Sequence, residues 1–318
     1  MLTCTGPART GTEGNGAQPV LDGLGGGAEG YGARFVPYGL MGGGMLEPEA
    51  RRATAAAMTT ASSLGLAAGD AIVLQNSNKL ILRLLPCDVL ARVTPAAEQV
   101  ADLEVDLARR LTEGGAPVAA LASGVEPRPY EHDGFVLTLW THYEPAARQV
   151  TPPAYADALH RLHLGLRGLD VPVPHFTHRV EQAQRLVADP GRTPELTAAD
   201  RDLLARTLDD TTRTILAASR PDQPLHGEPH PGNVLATPEG PLFIDFETCC
   251  RGPVEFDLAH APEDVACHYP GADADVLRQC RLLVLAMITT WRWDRDDQLP
   301  DGRRLGTEWL ARLRAESP

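Results

Sequence analysis

The spacing of apolar residues along this chain changes period partway through it. Between Ala71 and Trp140 they come in short runs: AIVLQ (71–75), KLILRLL (79–85), DVLARV (88–93), VAALA (118–122) and GFVLTLW (134–140). Short aliphatic and β-branched runs separated by turn residues predict strands. Pro86, Cys87 and Asp88 part the second run from the third, so those two read as a hairpin. Between the third and fourth runs, Val100, Leu103, Leu107 and Leu111 recur at helical spacing. Thr94 and Pro95 stand before them as a cap and first turn, and Gly114-Gly115 follow as the stop, which predicts one helix.

From Pro152 the period becomes helical, over 152–169, 179–188, 196–219 and 274–293. One short apolar run, PLFID (241–245), interrupts this second region. Five strands with one helix, followed by a mainly helical remainder, predict an α+β chain in two parts, without an internal repeat.

Glycine dominates residues 1–44, as in GLGGGAEGYGARF, and no apolar period is sustained there. Such a segment buries too little surface to offset its chain entropy, which predicts disorder, or a translation start at Met45 or Met58. Its glycines precede no Lys-Ser/Thr and follow no strand, so they do not form a phosphate loop.

The remainder of the 318 residues is long enough for two packed lobes. A net charge of -13 argues against a nucleic-acid or anionic-membrane partner, which would call for clustered basic residues. Lys79 is the single lysine among 29 basic residues. Arginine therefore stands wherever charge alone matters, and no lone Arg carries meaning by itself. Six scattered cysteines without a CxxC pair fit reduced, packed thiols. No apolar run reaches the roughly 18 residues that span a bilayer, and no secretory pattern opens the chain, so cytoplasm is the expectation.

The chemistry gathers in LHGEPHPGNVL (225–235) and FIDFE (243–247). Transfer of a terminal phosphoryl group asks little covalent work of a protein. It requires neutralised phosphate charge, usually through Mg²⁺, and a carboxylate that orients and deprotonates the attacking hydroxyl. A loop with an acid and, five residues on, an Asn presents both into one site. An Asp ending the next strand adds the carboxylate that bridges metal and phosphates. Glu228, Asn233 and Asp245 meet this description.

At these residues the sequence resembles the aminoglycoside phosphotransferase and choline kinase-like family, relatives of protein kinases. That family's H-G-D-x-x-x-x-N loop stands here as His226-Gly227-Glu228-Pro229-His230-Pro231-Gly232-Asn233, and its strand-end Asp as Ile244-Asp245-Phe246. RGPVEFDLAH (251–260), EVDLARRLTEGGAPV (104–118) and ALHRLH (158–163) are similar to further family segments, so the resemblance covers about residues 70–293. It implies a two-lobed protein kinase-like fold, with a nucleotide-binding lobe over 45–141 and a catalytic, acceptor-binding lobe over 142–318. It implies a kinase that passes the terminal phosphate of ATP or GTP to a hydroxyl of an aminoglycoside-like antibiotic or another small metabolite.

By the same resemblance, Glu228 is the catalytic base, and Asn233 and Asp245 hold Mg²⁺. Ser77, in the turn 75–78, and Asn233 belong to the nucleotide side. Arg92 is the phosphate-binding cation, Glu104 the helix acid that steadies it, and the base lies against 139–142. Asp257 opens a helix or partners the loop.

Two positions depart from the family's pattern. Glu228 replaces an Asp and is one methylene longer, although a base has to lie within reach of its proton. Arg92 replaces a Lys and is bulkier and bidentate. Lys79 is the other candidate cation, or an exposed strand residue. A pseudokinase that binds nucleotide or scaffolds is thus the second reading. A zinc hydrolase or deaminase, suggested by His226, Glu228 and His230, lacks both P-C-x-x-C and H-E-x-x-H. His163, His226 and His230 read as packing or loop residues. Asp294, Asp296 and Asp297 read either as acceptor-site acids or as a solvated helix end.

Overall fold

The computed structural model describes residues 44–77, 79–96, 101–146 and 149–316. The expectation of disorder for 1–44 falls outside them except at Gly44, as do Asn78 and Val100.

The first part is one antiparallel sheet. Strands β1 (Ala68–Asn76), β2 (Leu80–Pro86), β3 (Val89–Pro95), β4 (Tyr130–His132) and β5 (Phe135–Thr141) lie in the order β1-β2-β3-β5-β4. Its fifth strand is thus 130–132. The run 118–122, predicted as a strand, contributes only isolated bridges, Val118 to Phe243 and Leu121 to Trp140. Thr94 and Pro95 end β3 opposite Val136 and Phe135 and do not cap the helix; Pro is tolerated there because a strand end needs no further N–H. That helix, α2, is described over Ala101–Glu113 and buries Leu107 and Leu111 as its spacing predicts.

The alternation of side chains along β2 and β3 divides labour between the two faces of the sheet. Leu80, Leu82, Leu84, Val89, Ala91 and Val93 are buried on one face. A helix with no counterpart in the sequence-based expectations, α1 (Glu47–Ser63), covers it with Ala53, Ala56, Ala57 and Ala61. The sheet therefore carries two helices and not one, and Met58 lies inside the first of them. Arg92, paired across the sheet with Ile81 and Thr138, takes the opposite face toward α2.

The remainder is mainly helical: α3 (Pro152–Arg167), α4 (Thr177–Ala188), α5 (Ala198–Ala217), α6 (Val254–His260), α7 (Ala274–Arg292) and α8 (Gly302–Glu316). Four of these match the predicted segments closely, while α8 follows the tail that sequence left unassigned. The strand pairs β6 (Gln223–Leu225) with β9 (Cys250–Gly252) and β7 (Val234–Thr237) with β8 (Gly240–Phe243) lie between α5 and α6. Cys249 and Cys250 are buried free thiols whose pKa values burial drives upward, which suits packing rather than redox chemistry. No helix among the described residues is long and apolar enough to cross a membrane.

Candidate active site

The loop 226–233 is held from below by one carboxylate. Asp257, fully buried within α6, accepts the backbone N–H of His226 at 2.9 Å and of Gly227 at 2.8 Å. His163 of α3 meets the same carboxylate at 2.8 Å and Tyr269 at 2.7 Å. Asp257 is therefore a partner of the loop, and the helix-cap role is excluded because it lies three residues inside α6, behind Pro253 at the cap. An unsatisfied buried N–H costs about 1–3 kcal/mol, so this carboxylate fixes the loop firmly.

Gly227 has φ +91°, and a Cβ there would stand 1.9 Å from the Thr248 carbonyl oxygen. Only glycine fits. His226 reaches the Ile244 carbonyl through Nε2 at 2.9 Å, tying the loop to the end of β8, and burial lowers its pKa. As expected, it acts as a structural residue.

Beyond the loop, Asn233 donates through Nδ2 to the Glu228 carbonyl at 3.0 Å, which leaves its amide oxygen as the remaining polar group. The Ile244 N–H donates to the Asn233 carbonyl at 3.0 Å, so Asp245 follows directly beside Asn233. Asp245 is left-handed, with φ +69°, a conformation Asp tolerates better than most residues.

Two cations, Lys79 from the turn between β1 and β2 and Arg92 from β3, converge on Asp245. Lys79 Nζ lies 2.9 Å and Arg92 Nη2 3.1 Å from its Oδ1. Burial alone would raise this carboxyl, but Arg92 and Lys79 outweigh it and hold its pKa well below the usual range. Arg92 also pairs with Glu104 of α2, which accepts the Phe246 N–H at 3.2 Å through the same oxygen. Lys79 further meets Glu247 at 2.5 Å and is buried, so it is no exposed strand residue. Glu247, which sequence reasoning did not single out, lies two residues beyond Asp245 in the same FIDFE stretch. Its pKa is raised by burial and by Asp245. Lys79, Arg92, Glu104 and Glu247 line a cavity of about 30 Å³ with Thr94, Ala101, Val136 and Thr138.

Ser77 lies in the same turn as Lys79; its N–H donates to the Lys79 carbonyl at 3.1 Å and its hydroxyl accepts from Gln75 at 3.0 Å. The segment 139–142 is more committed than expected. The Leu139 carbonyl accepts from Ala122, Thr141 N–H donates to Ala120, and His142 N–H donates to Asp88. A base set there has to use other groups.

Glu228 is closed off from solvent. Its carboxylate is 3% exposed by residue and meets Arg179 of α4, with Nη2 2.5 Å from Oε1. Burial pushes its pKa up to about 7, against the pull of Arg179. Nothing in the sequence marked Arg179, one arginine among many. The acids after α7 are engaged as well: Asp294 and Asp296 with Arg192, and Asp297 with Arg292 at 3.1 Å.

Hard oxygen donors, the Asp245 and Glu247 carboxylates and the Asn233 amide, suit Mg²⁺. Among the described residues no three His, Cys, Asp or Glu side chains form a metal cage. The donor set thus fits an ion that completes its shell with phosphate and water, as Mg²⁺ does.

A sheet with its cation–acid pair above a loop of acid, Asn and strand-end Asp defines a kinase-like phosphotransferase. The phosphotransferase enzyme family matches residues 71–295, and the chain belongs to that family. Solved structures share the fold. Amicoumacin kinase hAmiN, in complex with AMP-PNP, Ca2+ and Ami, superposes with a TM-score of 0.64 at 13% identity over 86% of this chain and 97% of that one. A choline/ethanolamine kinase family protein from Mesorhizobium loti gives 0.60 at 19% identity, over 86% and 96%. Spectinomycin phosphotransferase, in complex with ADP and its antibiotic, gives 0.57 at 14% identity, over 82% and 94%. No curated protein matches the sequence.

Proposed function

We propose that this phosphotransferase moves the terminal phosphate of ATP or GTP to a hydroxyl of a small molecule in the cytoplasm, an aminoglycoside-like antibiotic or another metabolite. The observation that carries this is the meeting of Lys79, Arg92 and Glu104 with Asp245 beside the loop of Glu228 and Asn233. Residues 45–141 form the nucleotide-binding lobe and 142–318 the catalytic and acceptor-binding lobe.

Asn233 and Asp245 would hold Mg²⁺, which would supply the positive charge that neutralises the phosphates. Arg92, kept in place by Glu104, presents its guanidinium to the phosphates, and Ser77 lies over them in the β1–β2 turn. Glu228 takes the proton from the acceptor hydroxyl, and its buried, loop-fixed position excludes bulk water from that step.

The test is the thermal shift of the whole chain with Mg-ATP and with Mg-GTP, beside Asp245→Ala. Nucleotide at tenfold its Kd adds about 1.4 kcal/mol to the native state. Stabilisation that requires both Mg²⁺ and Asp245 supports the reading, and no shift with either nucleotide defeats it. A shift without any ADP release favours a nucleotide-binding module over a kinase.

A further inference from the structure

The acid of the loop is one methylene longer than the family's Asp, and the loop cannot move back to absorb that length. Asp257 holds the N–H groups of His226 and Gly227, the Tyr155 hydroxyl donates to the Pro229 carbonyl, and Asn233 holds the Glu228 carbonyl. The side chain must take up the difference. Its carboxylate arrives at Arg179, in the first turn of α4, 2.5 Å away, with side-chain exposures of 4% and 14%. The Arg179 guanidinium in turn lies 5.9 Å from the Trp291 ring of α7.

The other charged and titratable groups acting on Glu228 are Asp245 and Glu247 beyond β8, and it also acts on Cys250 of β9. Both carboxylates repel it. Arg179 is the cation that opposes them on this side of the loop, whereas Lys79 and Arg92 serve Asp245.

We propose that Arg179 is the positioning residue for Glu228: it clamps the longer acid where a hydroxyl acceptor meets it, and so compensates for the Asp-to-Glu exchange. This rests on Glu228 being the base of the phosphotransfer reaction. Arg179 is paired with Glu228, whereas the cations paired with Asp245 are Lys79 and Arg92. Loss of Arg179 therefore acts on turnover and leaves nucleotide binding intact.

The experiment compares the whole chain with Arg179→Gln, Arg179→Lys, Glu228→Asp and the double variant Glu228→Asp/Arg179→Gln. Two readouts are taken: the Mg-ATP or Mg-GTP thermal shift, and kcat and KM for ADP or GDP release with water as acceptor. Misplacing a reacting group by about 1 Å costs on the order of 100-fold. Arg179→Gln is expected to lose about that in kcat, with unchanged nucleotide KM and thermal shift. Arg179→Lys and millimolar guanidinium should each restore part of it. With Glu228→Asp, whose shorter side chain falls short of α4, the further Arg179→Gln change should cost less than threefold.

A kcat within threefold of the parent for Arg179→Gln overturns the proposal. So does an equal loss in both backgrounds, which would mark Arg179 as merely structural. A parent chain that shifts with nucleotide but releases no diphosphate removes the base role of Glu228, and the proposal with it. A parent chain that shows no shift defeats the phosphotransfer reading itself, which is a distinguishable result.

Discussion

Glu228 is pushed up to about 7 by burial, with Arg179 opposing and Asp245 and Glu247 adding to the rise. A base acts only once it has lost its proton, so kcat/KM should fall about tenfold per pH unit below about 7 and level off above it. A profile flat between about pH 5.5 and 8 would remove Glu228 from that role. The same shift works against the fold. Because the folded chain binds this proton more tightly, the stability it contributes is fully present below about 4.5 and is lost as pH rises toward about 7. Asp245 behaves oppositely: its depressed pKa contributes stability above the ordinary carboxylate range, which is lost under strong acid. The two acids of the loop and strand end are thus shifted in opposite directions.

Among the elements, α1 was the least legible. Its buried positions are all small, Ala53, Ala56, Ala57, Ala61 and Thr60, so no large apolar residue announces the period. Small side chains nevertheless allow a helix to sit close to the leucine face of β2. Ala57→Leu should therefore overpack this contact at a cost of about 1–3 kcal/mol in urea unfolding. The Mg-dependent nucleotide shift should persist, because Arg92 occupies the other face of the sheet. A nucleotide shift lost together with stability would show that the two faces are coupled. By contrast α2, α3, α5 and α7 were readable because Leu, Val and Ile recur on one side of each. The run 118–122 misled for a local reason: its alanines and valine pack as a bridged segment between α2 and the sheet without forming a ladder.

At the scale of the whole molecule, Lys79 and Arg92 carry ion pairs from the β1–β2 turn and β3 to Asp245 and Glu247 in the helical part. Removing Lys79 leaves those two carboxylates with less positive charge nearby, a deficit that a divalent cation can fill. In Lys79→Gln, MgCl2 without nucleotide should raise the unfolding temperature at least twice as much as in the parent. An equal or smaller rise would mean that Lys79 does not compete with metal there. The sequence by itself determined the α+β order, the main helices, and the loop and strand end carrying Glu228, Asn233 and Asp245, because period and motif spacing are local properties of the chain. Only the tertiary structure decided that Lys79 is buried on Asp245, that Arg179 grips Glu228, and that Asp257 anchors the loop. It also showed that the acids after α7 are already paired. Each of these joins residues far apart along the chain, and one arginine among many carries no mark of the partner that folding brings to it.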